Sequence, residues 1–366
     1  MRGAGVNGKK RIAVLGSTGS IGTQALEVIK KHSDILEVSL LASGTNRELA
    51  QKQAHEFGAK DLIMGDLDRL SDPHIYNGSD LVLNAIGGLS GLMPSLAVLE
   101  SKANLASANK ESIVAGGKFL MAKAMEKGKT IFPVDSEHSA SFQCLESHEN
   151  ICKIILTASG GAFRNQSREE MSKATPETAL NHPTWKMGKK VTIDSASLMN
   201  KTMEVIEAMW LFDTKNIGVL IHPQSIIHAL VEFKDGSMKA SLSAPDMRIP
   251  IQYAFTAPSR LSGFSSLNLA EIKALTFEEP NYEKYECLAF AEEVLNNPEL
   301  GIVLASADEV AVSLFLNRKI NFTHIPALVK SALRAYNSIK CNSVADIFRI
   351  EREVREYVLT NAGSIS

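Results

Sequence analysis

Disulfide pairing is the first thing this chain lacks. Its four cysteines, Cys144, Cys152, Cys287 and Cys341, are scattered through 366 residues with no CxxC pair. That spacing argues against a disulfide framework and suits reduced thiols in a cytosol. Long apolar runs are missing too: none approaches the ~20 residues needed to span a bilayer. The opening MRGAGVNGKKR has no apolar core of a secretory signal, and too little Ser and Arg for an organelle transit peptide. An imbalance of charge is likewise absent. The formal net charge of −2 gives no global field to attract nucleic acid or an anionic membrane. There is no internal repeat and no low-complexity tract. The expectation is a soluble, cytoplasmic protein with neither nucleic acid nor membrane as partner. At 45% apolar residues, the chain is long enough to bury a large core without staples and to form two or three domains.

What is present begins at RIAVLGSTGSIGTQALEVIKKH. A short apolar strand (Ile12 to Leu15) runs into a glycine loop and then an amphipathic helix. Gly16, Gly19 and Gly22 are spaced GxxGxxG, so the loop can turn tightly and bring its backbone close to a pyrophosphate. The helix N-terminus then offers unpaired N–H groups to the anion. Ser17, Thr18 and Ser20 add hydroxyls. A plain strand-to-helix turn is the bland alternative, but the order of strand, loop and helix favours a nucleotide. The next strand, LEVSLLAS, ends in Ala42-Ser43-Gly44-Thr45-Asn46-Arg47, with no acid before Glu48. An NAD-specific fold places an acid there for the ribose 2′-hydroxyl, so donors alone favour a 2′-phosphate and hence NADP. Further strands at DLVLNAIGG and ANLASANKES alternate with helical stretches, which predicts a parallel, doubly wound, Rossmann-like α/β sheet. Asn109-Lys110-Glu111 falls at a strand's carboxyl end, where such sheets bind ligands.

Acids carry the middle third. In PVDSEHSA, Asp135 and Glu137 flank one serine. While the chain is extended, residues two apart point the same way and both carboxylates can converge on a cation. Equally, Asp135 can cap the helix HSASFQCLES and Glu137 favour its dipole. The stretch DSASLMNKTMEVIEAMW predicts a helix opening near Asp194 or Ser195. Ser197, Asn200, Lys201 and Glu204 would share one face, at i, i+3, i+4 and i+7, with Leu198, Val205 and Met209 on another as core. Hydroxyl, amide, cation and acid on one face suit a phosphate beside a metal, although surface helices also have polar faces. Carboxylates without Cys or a paired His suit the hard cations Mg²⁺ and Mn²⁺.

Between these acids, Ser159-Gly160-Gly161 can present backbone N–H groups to an anion. The segment about 159–188 ends in His182-Pro183-Thr184-Trp185-Lys186-Met187-Gly188. An aromatic and a thioether amid polar residues suggest a lid closing over a ligand, with Trp185 as an ordinary half-buried anchor on the alternative reading.

These pieces together resemble the 1-deoxy-D-xylulose 5-phosphate reductoisomerase family. RIAVLGSTGSIG, ANKES, PVDSEHSA, TASGGAFR, HPTWKMGKKVTIDSASLMNKTMEVIEA and IHPQSIIHALVEFKDGSMKASLSAPDMRIPI carry the resemblance. It implies an enzyme that uses NADPH and a divalent metal to rearrange 1-deoxy-D-xylulose 5-phosphate to a branched aldehyde. Reduction then gives 2-C-methyl-D-erythritol 4-phosphate, in the non-mevalonate route to isoprenoids. By the same resemblance Asp135, Glu137 and Glu204 bind the metal. Ser159, Ser195, Asn200 and Lys201 hold the substrate phosphate, with His182 alongside, and Ser136 and Lys110 contact the substrate's oxygens. Thr18, Gly19, Ser20, Ile21, Gly44, Asn46, Asn109, Glu111 and Gly188 line the NADPH site. Met187 lies near the nicotinamide and Trp185 covers the substrate. Thr45 departs from the family, which commonly carries Lys or Arg there, leaving Arg47 or Ser43 to replace the 2′-phosphate contact.

The implied organisation is an NADPH-binding domain over 1–134 and a catalytic domain over 135–258. A linker over 259–284 and a C-terminal helical domain over 285–366 follow. The helical expectation for the last rests on its own 3.6-residue apolar spacing; the homodimer is inherited from the resemblance. Two other readings remain in view: a semialdehyde dehydrogenase, which would need an activated cysteine, and a nonenzymatic NADPH-sensing regulator, which would leave the acids unexplained. Because no acid ends the second strand, NADPH is expected to be preferred over NADH, by a margin that Thr45 narrows. Comparing kcat/KM for the two cofactors checks this, and a preference for NADH would overturn it.

Overall fold

The computed structural model describes residues 8–145 and 150–364, so the reading made of the first seven residues lies outside it. Six short apolar runs become strands: β1 (Lys10–Leu15), β2 (Leu36–Ser43), β3 (Asp61–Met64), β4 (Leu81–Asn84), β5 (Asn104–Ser107) and β6 (Ile131–Pro133). All pair in parallel, in the order β3-β2-β1-β4-β5-β6. The order reverses between β1 and β4, so the sheet is doubly wound as expected, with its crevice beside the glycine loop. Strands covered on both faces read as unbroken apolar runs, not as alternation. Accordingly Ile12, Ala13, Val14 and Leu15 are all fully buried.

The Ser20–Lys31 helix covers one face of this sheet through Ala25, Leu26, Val28 and Ile29, and Arg248–Thr256 adds Ile251, Ala254 and Phe255 to the same core. Lys10 reaches the carbonyl of Phe255 at 2.7 Å, and His32 pairs with Gln252 at 2.7 Å. Residues 246–267 therefore belong with the nucleotide-type sheet, although over a hundred residues separate them from β6. The chain divides into two compact units: one takes the residues up to Ile113, Lys118–Gln143 and Asp246–Leu267, and the other takes the rest.

The second unit has a mixed sheet made of β7 (Ile151–Ala158), β8 (Ile217–Ile221), β9 (Ile227–Phe233) and β10 (Met238–Leu242), in the order β10-β9-β7-β8. β7 runs parallel to β8 and antiparallel to β9. Glu278, within the stretch expected as a linker, exchanges backbone hydrogen bonds with Ile221 at 2.8 and 2.9 Å. The C-terminal helices fall where the spacing predicts them: Ala289–Asn296, Leu300–Leu316, His324–Ala335 and Val344–Asn361. Leu300–Leu316 is mostly apolar and almost wholly buried, as a central helix must be, with Asp308 as a fully buried acid on it.

One expected element is corrected. The single helix from Asp194 or Ser195 through Trp210 is two helices, Lys189–Ser197 and Met199–Phe212. Leu198 between them is left-handed, with φ 59°. The amide of Met199 bonds to Ser197 Oγ (3.3 Å), so a serine side chain replaces one backbone acceptor at the break. Ser197 therefore does not share a face with Asn200, Lys201 and Glu204.

The glycine loop is set by contact. A Cβ on Gly22 would stand 2.2 Å from the carbonyl oxygen of Gly16, backbone that cannot yield cheaply, whereas one on Gly44 would meet nothing within 4 Å. Overpacking typically costs about 1–3 kcal/mol. Gly22→Ala should lower the thermal midpoint of the first unit and weaken NADPH binding, while Gly44→Ala should leave that midpoint unchanged. Calorimetry of the two variants decides, and equal midpoints would refute the close approach.

Candidate active site

In the first unit, Gly16 takes φ 80°, and the amides of Gly16 and Ser17 both donate to Ala42 O at 2.9 Å. Thr18 Oγ1 and Ser43 Oγ are 2.6 Å apart, and Gln53 Nε2 donates to Ser17 O at 3.0 Å. The helix then starts at Ser20 behind Gly19, with no side-chain cap and no acid in its first turn. Its first N–H groups are left for an outside acceptor. Among the described residues, the buried Ser17 Oγ also has no hydrogen-bond partner. A pyrophosphate fits this uncapped terminus by charge and by donor supply. At the end of β2, Gly44, Thr45, Asn46 and Arg47 are exposed. Asn46 is partly committed, because its side chain accepts from Leu49 N at 3.2 Å and caps the next helix.

Asn109 is a cap too. Its Oδ1 accepts from Ser112 N at 2.7 Å, and its Nδ2 donates to Gly88 O at 2.7 Å and to Ile86 O. Asn84, at the end of β4, donates to Gly91 O and Ser95 Oγ, both at 2.8 Å. Together these amides hold the turn after β4. Asn84 and Gln53 escaped sequence reading because nothing in a single apolar strand or helix marks a residue that serves a distant loop.

Beside Asn109, Lys110 opens the Lys110–Lys127 helix and meets Asp135 Oδ2 at 2.6 Å. Asp135 stands at the foot of the Ser136–Cys144 helix, where its carbonyl accepts from Ser139 N at 2.8 Å. Its carboxylate accepts from Ser136 N at 3.1 Å, and Ser136 Oγ donates to Glu137. Carboxylate oxygens of Asp135 and Glu137 lie within 4.8 Å of each other. The two readings of PVDSEHSA are thus compatible: a helix starts there, and its two acids still converge. Fully buried His138, with Nδ1 3.7 Å from Asp135 Oδ2, is a neighbour that the sequence did not single out.

The second unit gathers the remaining residues. Gly160 and Gly161 both have positive φ, 87° and 68°. A Cβ on Gly161 would stand 2.3 Å from Ser195 O, so the Ser159 loop lies directly against the Lys189–Ser197 helix. Tyr285 donates to Gly160 O at 3.1 Å, and burial pushes its hydroxyl up to about 12, which keeps the donated proton in place. Beyond Leu198, Asn200 Nδ2 donates to Glu204 Oε1 at 2.5 Å and Lys201 pairs with the other oxygen of the same carboxylate. Lys201 and Glu204 side chains are only 4% and 1% exposed. Glu207, one turn on, is equally buried.

His182 has a defined tautomer. Its Nδ1 accepts from Thr184 N (3.1 Å) and Trp185 N (2.9 Å), so its proton resides on Nε2. Nε2 is 3.0 Å from Ser159 Oγ and donates to it, as does Gly161 N at 3.2 Å. With both lone pairs engaged, the Ser159 hydroxyl has only a proton to offer, which an anionic ligand accepts. Half-buried Trp185 leans on His228, ring centroids 6.2 Å apart. His228 Nε2 lies 3.0 Å from Ser243 Oγ. Met187 is half-buried, and exposed Gly188 is the N-cap of the Lys189–Ser197 helix.

Comparison with known proteins bears on this geometry. A family model described as 1-deoxy-D-xylulose 5-phosphate reductoisomerase matches residues 12–74 and 68–117. Models of the same family's C-terminal regions match 131–212 and 242–357. The 1-deoxy-D-xylulose 5-phosphate reductoisomerase of Thermoanaerobacter pseudethanolicus is 44% identical, over 95% of this chain and 98% of its own. The chain belongs to the 1-deoxy-D-xylulose 5-phosphate reductoisomerase family. Two solved structures of that family superpose closely. The Zymomonas mobilis reductoisomerase in complex with NADPH gives a TM-score of 0.90 at 35% identity, covering 98% of this chain and all of that one. A reductoisomerase in complex with NADPH, fosmidomycin and magnesium gives 0.91 at 33%, covering 97% of this chain and 98% of that one.

Burial holds the His182 pKa below its ordinary value near 6.5. A lowered folded-state value means that neutral His182 contributes stability above pH 6.5, which is lost as pH falls from there through the lowered value. Imidazole nitrogen NMR should show the Nε2–H tautomer and a midpoint below 6.5 for His182. A midpoint above 6.5, or a proton on Nδ1, would contradict the network drawn around Ser159.

Proposed function

We infer that this protein is an NADPH- and divalent-metal-dependent reductoisomerase. It converts 1-deoxy-D-xylulose 5-phosphate to 2-C-methyl-D-erythritol 4-phosphate. The observation that carries the chemistry is the donor set. Paired carboxylates on one short helix start, and a buried carboxylate among Ser195, Asn200 and Lys201, are what a hard cation next to a phosphate requires.

We propose Asp135, Glu137 and Glu204 as the cation's ligands; the donors are all carboxylate oxygens, with no thiolate among them, which fits Mg²⁺ or Mn²⁺. A cation held there would supply Lewis-acid polarisation of the substrate's carbonyl. NADPH, on the uncapped Ser20 terminus with Thr18, Gly19, Ile21, Gly44 and Thr45, would supply the hydride. The chain's own side chains do the rest. Lys110, already ion-paired with Asp135, places an ammonium where the substrate's oxygens gather negative charge, and Ser136 adds a hydroxyl. Ser159 offers its one proton to the phosphate, beside Ser195, Asn200 and Lys201, while His182 fixes the direction of that proton. Trp185, on the segment 159–188, excludes water when that segment closes. Asn109 and Glu111 shape the cofactor side from the helix start, and Met187 and Gly188 from the far end of the lid.

A semialdehyde dehydrogenase would need an accessible, activated thiol. Cys144 is buried within a helix. Cys287 is buried as well, and its thiol is pushed up by burial and by the charge of Asp308. A regulator would leave the buried acids without a task. The reading includes a homodimer and a cytoplasmic location; among the described residues no helix is long and apolar enough to cross a membrane.

Glu204→Gln keeps shape and removes charge. It should lower kcat by at least about a hundredfold, as expected for the loss of several kcal/mol of polarisation, while the protein stays folded and binds NADPH. NADPH consumption with the substrate, with and without chelator, measures this. Activity within a few-fold of the parent would remove Glu204 from the ligand set.

A further inference from the structure

The Lys189–Ser197 helix begins beside the lid, carries Ser195, and ends at the left-handed Leu198 that launches Asn200, Lys201 and Glu204. A shift or rotation of this helix would therefore displace Ser195, Asn200 and Lys201 together, three of the donors assigned to the phosphate. Gly161 abuts it at one end, through Ser195. Its other end is held by an ion bridge that the site does not itself require. Lys190 Nζ lies 2.6 Å from Asp194 Oδ2, one turn further on, and 2.7 Å from Asp308 Oδ2 on the Leu300–Leu316 helix. The side chains of Asp194 and Asp308 are 2% and 0% exposed, and that of Lys190 is 23% exposed.

Burial makes such a bridge directional. Away from water each carboxylate depends on its partner, so separating the ammonium from either acid is costly. Besides Asp308, the Leu300–Leu316 helix buries aliphatic and small side chains and Phe315, which offer non-directional contacts and no charged partner. One charged pair at a fixed point adds the missing direction, as a single polar residue fixes register in a coiled coil. Asp308 also lies close to Cys287, whose carbonyl accepts from Thr202 on the Met199–Phe212 helix at 2.8 Å. The same region is thus tied to both helices that carry the donors.

We propose that Asp308 is a positioning residue for the substrate's phosphate: through Lys190 it fixes the Lys189–Ser197 helix and so the placement of Ser195, Asn200 and Lys201. This rests on the phosphate role of those three residues under the proposed function. Asp308 itself touches neither substrate nor cofactor. Its effect belongs in substrate affinity, not in the chemical step.

The test uses the full-length enzyme with Asp308→Asn and Asp308→Leu. In both, Lys190 keeps Asp194, so no buried charge loses its last named counter-ion, and the leucine variant remains apolar enough to pack even if the amide does not. The proposal expects KM for 1-deoxy-D-xylulose 5-phosphate to rise about tenfold with kcat little changed, a loss of uniform binding. KM for NADPH should stay constant. In the ligand-free protein, hydrogen exchange should quicken over 189–198 and not over 300–316. A lowered melting temperature with unchanged KM and unchanged exchange over 189–198 would make Asp308 merely structural and overturn the proposal. A fall in kcat at constant KM would overturn it as well. Ser195→Ala and Lys201→Met run alongside. If they leave KM unchanged, the phosphate assignment fails, and the exchange result alone then judges whether Asp308 fixes the helix. If they raise KM and the Asp308 variants do not, the positioning role fails by itself.

Discussion

A carboxylate taken out of water must keep a cation or several N–H donors beside it, and this chain buries acids in both units. Asp135 meets Lys110, Glu204 meets Lys201 and Asn200, and Asp194 and Asp308 share Lys190. Each lysine lies on a helix next to a ligand-binding loop, so the demand for charge pairing also fixes the orientation of those helices. Continuum reasoning gives buried pairs little net stability against apolar replacements. Their value here is directional. They set which way a helix faces, and with it the direction of short side chains such as Ser195 and Asn200, proposed above as phosphate donors.

Pairing also keeps the acids charged. An acid left bare in a dry site would take up a proton instead of staying charged. A lysine neighbour offers an alternative partner that a stronger cation can displace, after which the ammonium is available to a substrate oxygen or phosphate. Lys110 and Lys201 both stand in this relation to acids proposed above as the cation's ligands. The sequence places each such lysine close to a residue with an oxygen donor, at Asn109-Lys110 and Asn200-Lys201. In the fold those two asparagines differ: Asn109 is consumed as a helix cap and loop brace, while Asn200 braces Glu204.

Much of this architecture was legible in the residues. Alternating apolar runs and amphipathic stretches give the parallel sheet, and GSTGSIG gives the loop at its switch point, because both signals are local and periodic. The carboxylates of PVDSEHSA were legible only as one of two equal alternatives, and they converge from a helix start, not from the extended chain that the convergent reading assumed. Illegible were effects of distance. Residues 246–267 join the first sheet's core through Ile251 and Phe255, which no local pattern announces. The break at Leu198 was hidden because Ser-Leu-Met-Asn is acceptable inside a helix, and only the packed environment drives a leucine to φ 59°. Gln53 and Asp308 act on a loop and a helix far away in sequence, at Ser17 and Lys190, and their types are common on ordinary surfaces.

The segment 159–188 joins a held root to irregular backbone. Phe163 near its start is buried and packs edge-on against Phe322, ring centroids 5.1 Å apart, and Lys284 holds the carbonyls of Phe163 and Arg164 at 2.8 and 2.7 Å. Further along come two short helices, Arg168–Ser172 and Pro176–Ala179, each closed by a capping box. Both are tied outward by exposed ion pairs, Arg168 with Glu286 and Glu177 with Arg318. Exposed pairs contribute only about 0–1 kcal/mol each, so they bias a resting position without locking it. The residues that matter most come last: His182, Trp185 and Met187 lie in irregular backbone, where His182 supplies the acceptor for two amides that would otherwise need water. A held root, self-capped short helices and a histidine-braced tip make the segment a preformed piece, which is what the proposed closure requires. On that proposal, closure would cost the entropy of a few joints and not of thirty residues, a modest sum for the binding energy of one phosphate to meet.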